Sequence, residues 1–314
     1  MRTGIIGAMD EEIVLFLEAM EETKKTVKAG ITYYQGKLES REVVLCKSGV
    51  GKVNAGVCTQ ILIDRFGVDQ VIFTGVAGAV HPDLEIGDIV ISTTCLQHDV
   101  DATALGFQPG EIPYAKIWEW QADPRLIELA MKSGEAIGDD VNIVKGKVLS
   151  GDQFIADRDK VRRLYERFDA YCTEMEGAAA AQVCTMNDVP FVIVRSMSDK
   201  ADGSADVNFA EFTKLASRRS FEIVSSMLKH ESPAAGAGVI VYSTAGCIEC
   251  DMVKKLLTEQ GIPFEVRDVM TSQQYRDEVE KFGFLGVPVT VVGGKAVKGF
   301  QPEELQALLD GLKK

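Results

Sequence analysis

VIFTGVAGAV, residues 71–80, opens with strand-forming apolar side chains and turns to glycine and alanine in its second half. An apolar run this short reads as a buried strand rather than a helix, and its small carboxyl-terminal residues leave backbone amides open to a ligand. Five further stretches repeat the plan: TGIIGAM (3–9), EVVLCKSG (42–49), GDIVIS (87–92), VNIVKGKVLSG (141–151) and PFVIVRSMS (190–198). Helical periodicity separates them in VNAGVCTQILIDRF (53–66), DPRLIELAMKSGEAI (123–137), EGAAAAQVCTMN (176–187) and the run from 208 to 230. Short strands alternating with amphipathic helices specify an α/β domain layered on a mixed sheet. Most of these strands stop at Gly, Ser or Thr, so a ligand site is expected along their carboxyl edge.

At 314 residues the chain exceeds what one hydrophobic core usually fills, so two domains are expected. The break falls at ESPAAGA (231–237), where Pro233 ends a helical pattern and small residues follow, as in a short linker. This divides the chain into domains at 1–230 and 238–314. In the second, VIVYS, a helix from Cys250 to Gln260, FEVRDV, helical SQQYRDEVEKF, VPVTVV and a final helix from Pro302 fall within a β-α-β-α-β-β-α unit.

The formal net charge of −13, with no Lys/Arg-rich run, opposes binding to a phosphate backbone, so nucleic acid is not an expected partner. No apolar stretch approaches the ~20 residues that span a bilayer, and MRTGIIGAMDEE lacks a signal-peptide pattern, so a cytoplasmic location is expected without membrane contact. The three histidines (His81, His98, His230) show no metal-ligand spacing, and neither a metal nor another cofactor is expected. Five of the seven cysteines stand singly among apolar neighbours and read as buried thiols, whereas Cys247 and Cys250 form a CxxC pair.

Carboxylates mark the strand ends: Asp10, Glu11 and Glu12 after the first strand, Glu174 and Glu176 in TEMEGAA, Asp199 in RSMSD. A glycosidic bond that breaks to leave a sugar cation needs a base for water, an acid for the leaving group and acceptors for ribose hydroxyls, and carboxylates fill all three roles. Glycine-rich SGVGKVNAG is not a dinucleotide loop, because no GxGxxG follows the first strand. His98 reads as structural, and Trp118 and Trp120 as packing or a pocket lid.

GIIGAMDEE (4–12), KSGVGKVNA (47–55), TGVAGA (74–79), HDVDAT (98–103), SGDQFI (150–155), EMEGAA (174–179) and RSMSD (195–199) resemble, in order, the motifs of the methylthioadenosine/S-adenosylhomocysteine nucleosidases of the nucleoside phosphorylase/hydrolase superfamily. That resemblance implies a three-layer αβα fold and hydrolysis of a 5′-thio-substituted adenosine. It implies that Glu12 activates water and that Asp199, oriented by Ser198, shares a proton with adenine N7. Glu176 would bind the ribose hydroxyls over Met175, Phe154 would stack on the purine, and the backbone of Ile155 would read its edge. Met9, Val50 and Phe209 would surround the 5′ substituent, with Ala77, Gly78 and Glu174 completing the substrate-facing set. Segment 103–113 of a second subunit would assist, which implies a homodimer.

Phosphorolysis on this fold needs an arginine-rich anion cradle, yet Phe73 precedes TGVAGA and the first loop is acidic MDEE, which favours water over phosphate. Val76 stands where the family commonly has Ser, which leaves the 5′-substituent preference open. A protein from another class, a redox protein with a non-catalytic nucleoside-sensing half, is opposed by the intact Glu12, Glu176 and Asp199 set.

In the second domain, strand VIVYSTAG followed by CIEC places Cys247 at a helix N-terminus, which stabilises a thiolate, with Cys250 one turn on to resolve a mixed disulfide. A zinc site is disfavoured, since this half has no second CxxC and no histidine. VPV (287–289) and KGFQPEEL (298–305) complete a resemblance to glutaredoxins, closer to the small redoxins that serve ribonucleotide reductase; it implies a thioredoxin fold and a cis bond before Pro288 beside the cysteines. A thiol reductant such as glutathione, or a flavoprotein reductase, would recharge the pair, and Glu249 inside it departs from the usual neutral residue.

Overall fold

The computed structural model describes residues 1–135, 137, 141–200, 205–230, 239–262 and 264–310, excluding the side chains of 205–211 and 274. The expected linker at 231–237 lies outside the described residues. The chain divides into two compact units, Arg2–Glu231 and Ser232–Lys314, the latter grouped with Met1.

The first unit runs β1 (Arg2–Gly7), α1 (Asp10–Ala19), β2 (Glu21–Lys28), β3 (Ile31–Leu38), β4 (Arg41–Lys47), α2 (Lys52–Phe66), β5 (Gln70–Ala79), β6 (Ile89–Gln97), β7 (Glu119–Gln121) and α3 (Pro124–Gly134). It continues with β8 (Ile143–Ser150), α4 (Arg158–Phe168), β9 (Cys172–Glu174), α5 (Gly177–Met186), β10 (Phe191–Asp199) and α6 (Ala205–His230). The strands form one mixed sheet in the order β10-β6-β8-β9-β5-β1-β4-β3-β2, with β7 beside β6. Because β10 also pairs in parallel with β5, the first five strands of that order close on themselves.

Alternation along the strands sorts side chains into two cores. Ile6, Val44 and Phe73 face one way, into a layer completed by Cys58 and Leu62 of α2 and the alanines of α5. Ile5, Leu45 and Ile72 face the other, against Phe16 of α1, Leu126 of α3 and Ile223 and Met227 of α6. Helices thus cover both faces in an αβα sandwich, and all ten residues of β5 are buried between them.

Sequence patterning missed α1, α4 and the short β7 and β9, together with the β2–β3 hairpin at the sheet edge. EETKKTVK in β2 is almost entirely exposed, so no apolar alternation announces it. Asp10, Glu11 and Glu12, expected in a loop, form the first turn of α1, where carboxylates complement the positive end of the helix.

The second unit runs β11 (Ile240–Ser243), α7 (Ile248–Glu259), β12 (Glu265–Asp268), α8 (Gln273–Lys281), β13 (Val289–Val292), β14 (Lys295–Lys298) and α9 (Pro302–Asp310). Its sheet has the order β12-β11-β13-β14, parallel only between β11 and β12. Val241 and Val253 pack with Leu305 and Leu309 on one face, while Tyr242 and Val289 pack with Val279 on the other. This is the thioredoxin-type layering, with α7 beginning two residues before the expected Cys250. Among the described residues no helix is long and apolar enough to cross a membrane.

Candidate active site

The strand ends of the first unit converge on a cavity of about 220 Å³. The residue before α1 contributes Met9 and its first turn Glu12; the turn before α2 contributes Val50; the end of β5 contributes Val76, Ala77 and Gly78. Phe154 and Ile155 arrive after β8, Glu174, Met175 and Glu176 from β9 and the turn beyond it, and Ser198 and Asp199 from the end of β10. The side chain of Phe209, also expected here, lies outside the described residues.

Glu12 is held by backbone amides. Ala8 and Met9 donate to its Oε2 at 2.6 and 3.0 Å, and Val76 donates to its Oε1 at 2.9 Å. Burial raises its pKa, while Arg195 and the three amides pull the other way. The carboxylate is therefore fixed in place yet retains basicity, the combination a general base for water requires.

Glu176 accepts a 2.8 Å hydrogen bond from the Gly51 amide. Burial, then the nearby charge of Glu174, push its pKa up to about 8, against the opposing pull of Arg195 and the Gly51 N–H. Asp199 is 2 % exposed, and Ser198 Oγ donates to its Oδ1 at 2.8 Å. A buried, oriented carboxyl at the end of β10 suits exchange of a proton with a ring nitrogen. Phe154, by contrast, lines the cavity while 53 % exposed.

Glu174 lines the cavity, but both its oxygens are engaged by protein donors: the Gly177 amide at 2.9 and 2.8 Å, the Glu176 amide at 3.2 Å, Ser150 Oγ and Arg195 Nη2. It organises its neighbours and has little capacity left for substrate. Arg195 is a site residue to which sequence reasoning assigns no role. Completely buried, it bonds Glu174, lies 4.0 Å from Glu12 and 3.8 Å from Glu176, and stacks 4.7 Å over the Phe73 ring. Burial opposes its charge, but the three carboxylates outweigh burial and raise its pKa. The available signal was a lone cation inside the apolar strand VIVRSMS, which demands a buried counter-charge. Gly75 completes the packing: a Cβ there would fall 2.2 Å from Glu12 Oε1 and 2.4 Å from Arg195 Nη1.

In the second unit Cys247 and Cys250 are joined by a disulfide at the start of α7, where the Cys250 amide donates to Cys247 Sγ at 3.2 Å. Cys250 is buried and Cys247 half-buried. The Val287–Pro288 bond is cis, and the Pro288 carbonyl accepts from the Gly299 amide; a Cβ at Gly299 would fall 3.4 Å from Glu249 Oε2. The other five cysteines are buried and unbridged, although Cys46 and Cys58, scattered in sequence, bring their sulfurs to 3.0 Å.

Residues 2–229 match the family model of the phosphorylase superfamily and residues 239–297 that of glutaredoxin. A 5′-methylthioadenosine/S-adenosylhomocysteine nucleosidase of Anoxybacillus flavithermus is 43% identical over 229 residues, covering 73% of this chain and 98% of that protein. The Neisseria meningitidis nucleosidase of the same name, solved with methylthio-immucillin-A, superposes with a TM-score of 0.70 at 38% identity, covering 73% of this chain and 98% of that one. A futalosine hydrolase mutant of Helicobacter pylori aligns at 32% identity with a TM-score of 0.69, over 72% of this chain and 98% of that one. The chain belongs to the 5′-methylthioadenosine/S-adenosylhomocysteine nucleosidase family of the phosphorylase superfamily and carries a glutaredoxin-family domain behind it.

Proposed function

We propose that the first unit hydrolyses the N-glycosidic bond of 5′-methylthioadenosine and S-adenosylhomocysteine, and of 5′-deoxyadenosine, releasing adenine and the 5′-substituted ribose. The observation that carries this reading is the meeting of Glu12, Glu176 and Asp199 in one cavity with apolar walls. Water takes its position against Glu12, on the ribose face opposite the departing base. Asp199, oriented by Ser198, shares its proton with adenine N7, so that the base leaves neutral. Positive charge spreading over the ribose ring in the transition state is stabilised by the fixed carboxylates. Glu176 grips the 2′ and 3′ hydroxyls above Met175, Phe154 stacks on the purine, and the Ile155 backbone reads its edge. Met9 and Val50 enclose the 5′ group.

Hydrolysis rather than phosphorolysis is favoured because none of the residues described around the cavity is Lys or Arg, and Arg195 behind it is matched by three carboxylates. The protein works as a cytoplasmic homodimer: Val53, Leu105, Tyr114 and Ile117 leave apolar area exposed on the nucleosidase unit, including part of segment 103–113. The second unit performs dithiol–disulfide exchange, with Cys247 attacking, Cys250 resolving and Pro288 beside them, supplied by a thiol or a flavoprotein reductase.

Adenine release from methylthioadenosine in phosphate-free buffer tests the first reading. Rapid release that Asp199→Asn reduces by roughly 10²–10⁴-fold supports it. Release that appears only with added phosphate would make the enzyme a phosphorylase. The related futalosine hydrolase makes futalosine the first control in a substrate panel.

A further inference from the structure

Three segments at the cavity mouth are tied by one carboxylate that is not among the residues lining it. Asp99, just beyond β6, accepts from Lys52 Nζ at 2.6 Å through Oδ1 and from the Asp152 amide at 2.9 Å through Oδ2. Asp152 Oδ1 in turn accepts from the Lys52 amide at 2.8 Å, closing a ring of three residues from three separate segments. The Lys52–Asp99 ion pair is largely sheltered, with side chains 18% and 12% exposed, so water screens it weakly. A second bond from Lys52 Nζ, to Gln97 Oε1 at 3.1 Å, fixes the ammonium further.

Two of the tied segments carry cavity groups. Lys52 directly follows Gly51, whose amide donates to Glu176, and Asp152 lies two residues before Phe154. The Gly51 turn has no slack: its φ is +100°, and a Cβ would fall 3.1 Å from Asp152 Oδ1. On the third side a Cβ at Gly151 would meet His98 Nε2 at 2.5 Å, so the 98–99 and 151–152 segments are in direct contact.

We propose that Asp99 is a positioning residue for the glycosidic reaction: through Lys52 it holds the turn whose Gly51 N–H seats Glu176, and through Asp152 it holds the segment that places Phe154. The proposal rests on the reading of Glu176 as the ribose-binding carboxylate. Without the Gly51 bond, Glu176 faces Glu174 and Glu12 with Arg195 as its one described ionic partner, and its ionised form is disfavoured. Asp99 is itself kept ionised: burial opposes its charge, but Lys52, the Asp152 amide and His98 hold its pKa below the usual carboxylate value.

The test compares Asp99→Asn, Lys52→Met and the charge-preserving Lys52→Arg in the full chain. Substrate kinetics are measured across pH, and the affinity for methylthio-immucillin-A is measured by calorimetry. In D99N and K52M, KM rises roughly tenfold with a much smaller change in kcat, inhibitor affinity falls by a similar factor, and the rising limb of kcat/KM moves to higher pH. K52R recovers most of the loss, and the double variant is little worse than either single one. Unchanged KM and pH limb in folded D99N and K52M would overturn the proposal, as would losses explained wholly by a smaller folded fraction. Wild-type protein that neither releases adenine nor binds the inhibitor would remove the functional reading itself, and the proposal with it.

Discussion

The Nη1 of Arg195 stands 4.0 Å from the Oε1 of Glu12, with both side chains sealed from solvent. One guanidinium thereby serves three acids, and its removal leaves three carboxylates in low dielectric without a described cation. Arg195→Met is expected to destabilise the nucleosidase unit by about 3–5 kcal/mol and to cost roughly 10²-fold or more in kcat/KM. Thermal melts and adenine release read the two effects separately; a variant as stable and active as the wild type would contradict the charge balance described.

Burial, then the neighbouring charge of Glu174, push the pKa of Glu176 from its ordinary value of 4.5 up to about 8. Between those values the folded protein holds a proton on this group that the unfolded chain has lost, so stability from it falls as pH rises through the window. Glu12, raised by burial, acts in the same direction. The ligand-free melting temperature should therefore drop less between pH 5 and pH 8 in Glu176→Gln than in the wild type. Parallel pH–stability curves would show that Glu176 is not the group responsible.

Gly75→Ala places a methyl group against the Glu12 carboxylate and the Arg195 guanidinium. Displacing a reacting group by about 1 Å costs on the order of 10²-fold in rate, and at least that loss is expected in adenine release. Ordinary activity in folded G75A would mean that Glu12 need not occupy the observed position.

Cys247→Ser should abolish dithiol-dependent disulfide reduction and leave adenine release within about twofold of wild type, since each unit packs its own core. Cys250→Ser should accumulate a mixed disulfide with its target, because attack no longer leads to resolution. Nucleosidase activity that changes more than a few-fold with dithiothreitol would refute this independence.

The layered α/β plan was legible because buried parallel strands write themselves as apolar runs, as in VIFTGVAG and PFVIV. Glu12, Glu176 and Asp199 could be picked out because each carboxylate stands where such a run stops. The closure of the sheet through β10 was not legible, since pairing of Arg195 with Gly75 joins segments far apart in sequence. Nor was the Lys52–Asp99 tie, because an ion pair between the first residue of α2 and a turn beyond β6 has no spacing to read. The order of elements in the redoxin unit was legible because its connections are local and its turns are rich in glycine, although no residues could be named for β14.

Closure of the sheet also sets how each centre fails. Groups drawn from Met9 to Asp199 reach one cavity only if six strand ends stay in register, so disruption of any one of these strands disperses the site. Cys247 to Cys250 fit within a single helical turn. On gradual heating, then, glycosidase activity should vanish as an all-or-none event of its own unit, while the thiol chemistry persists for as long as the smaller unit stays folded. One polypeptide would thus pass through a state in which it has one trade instead of two.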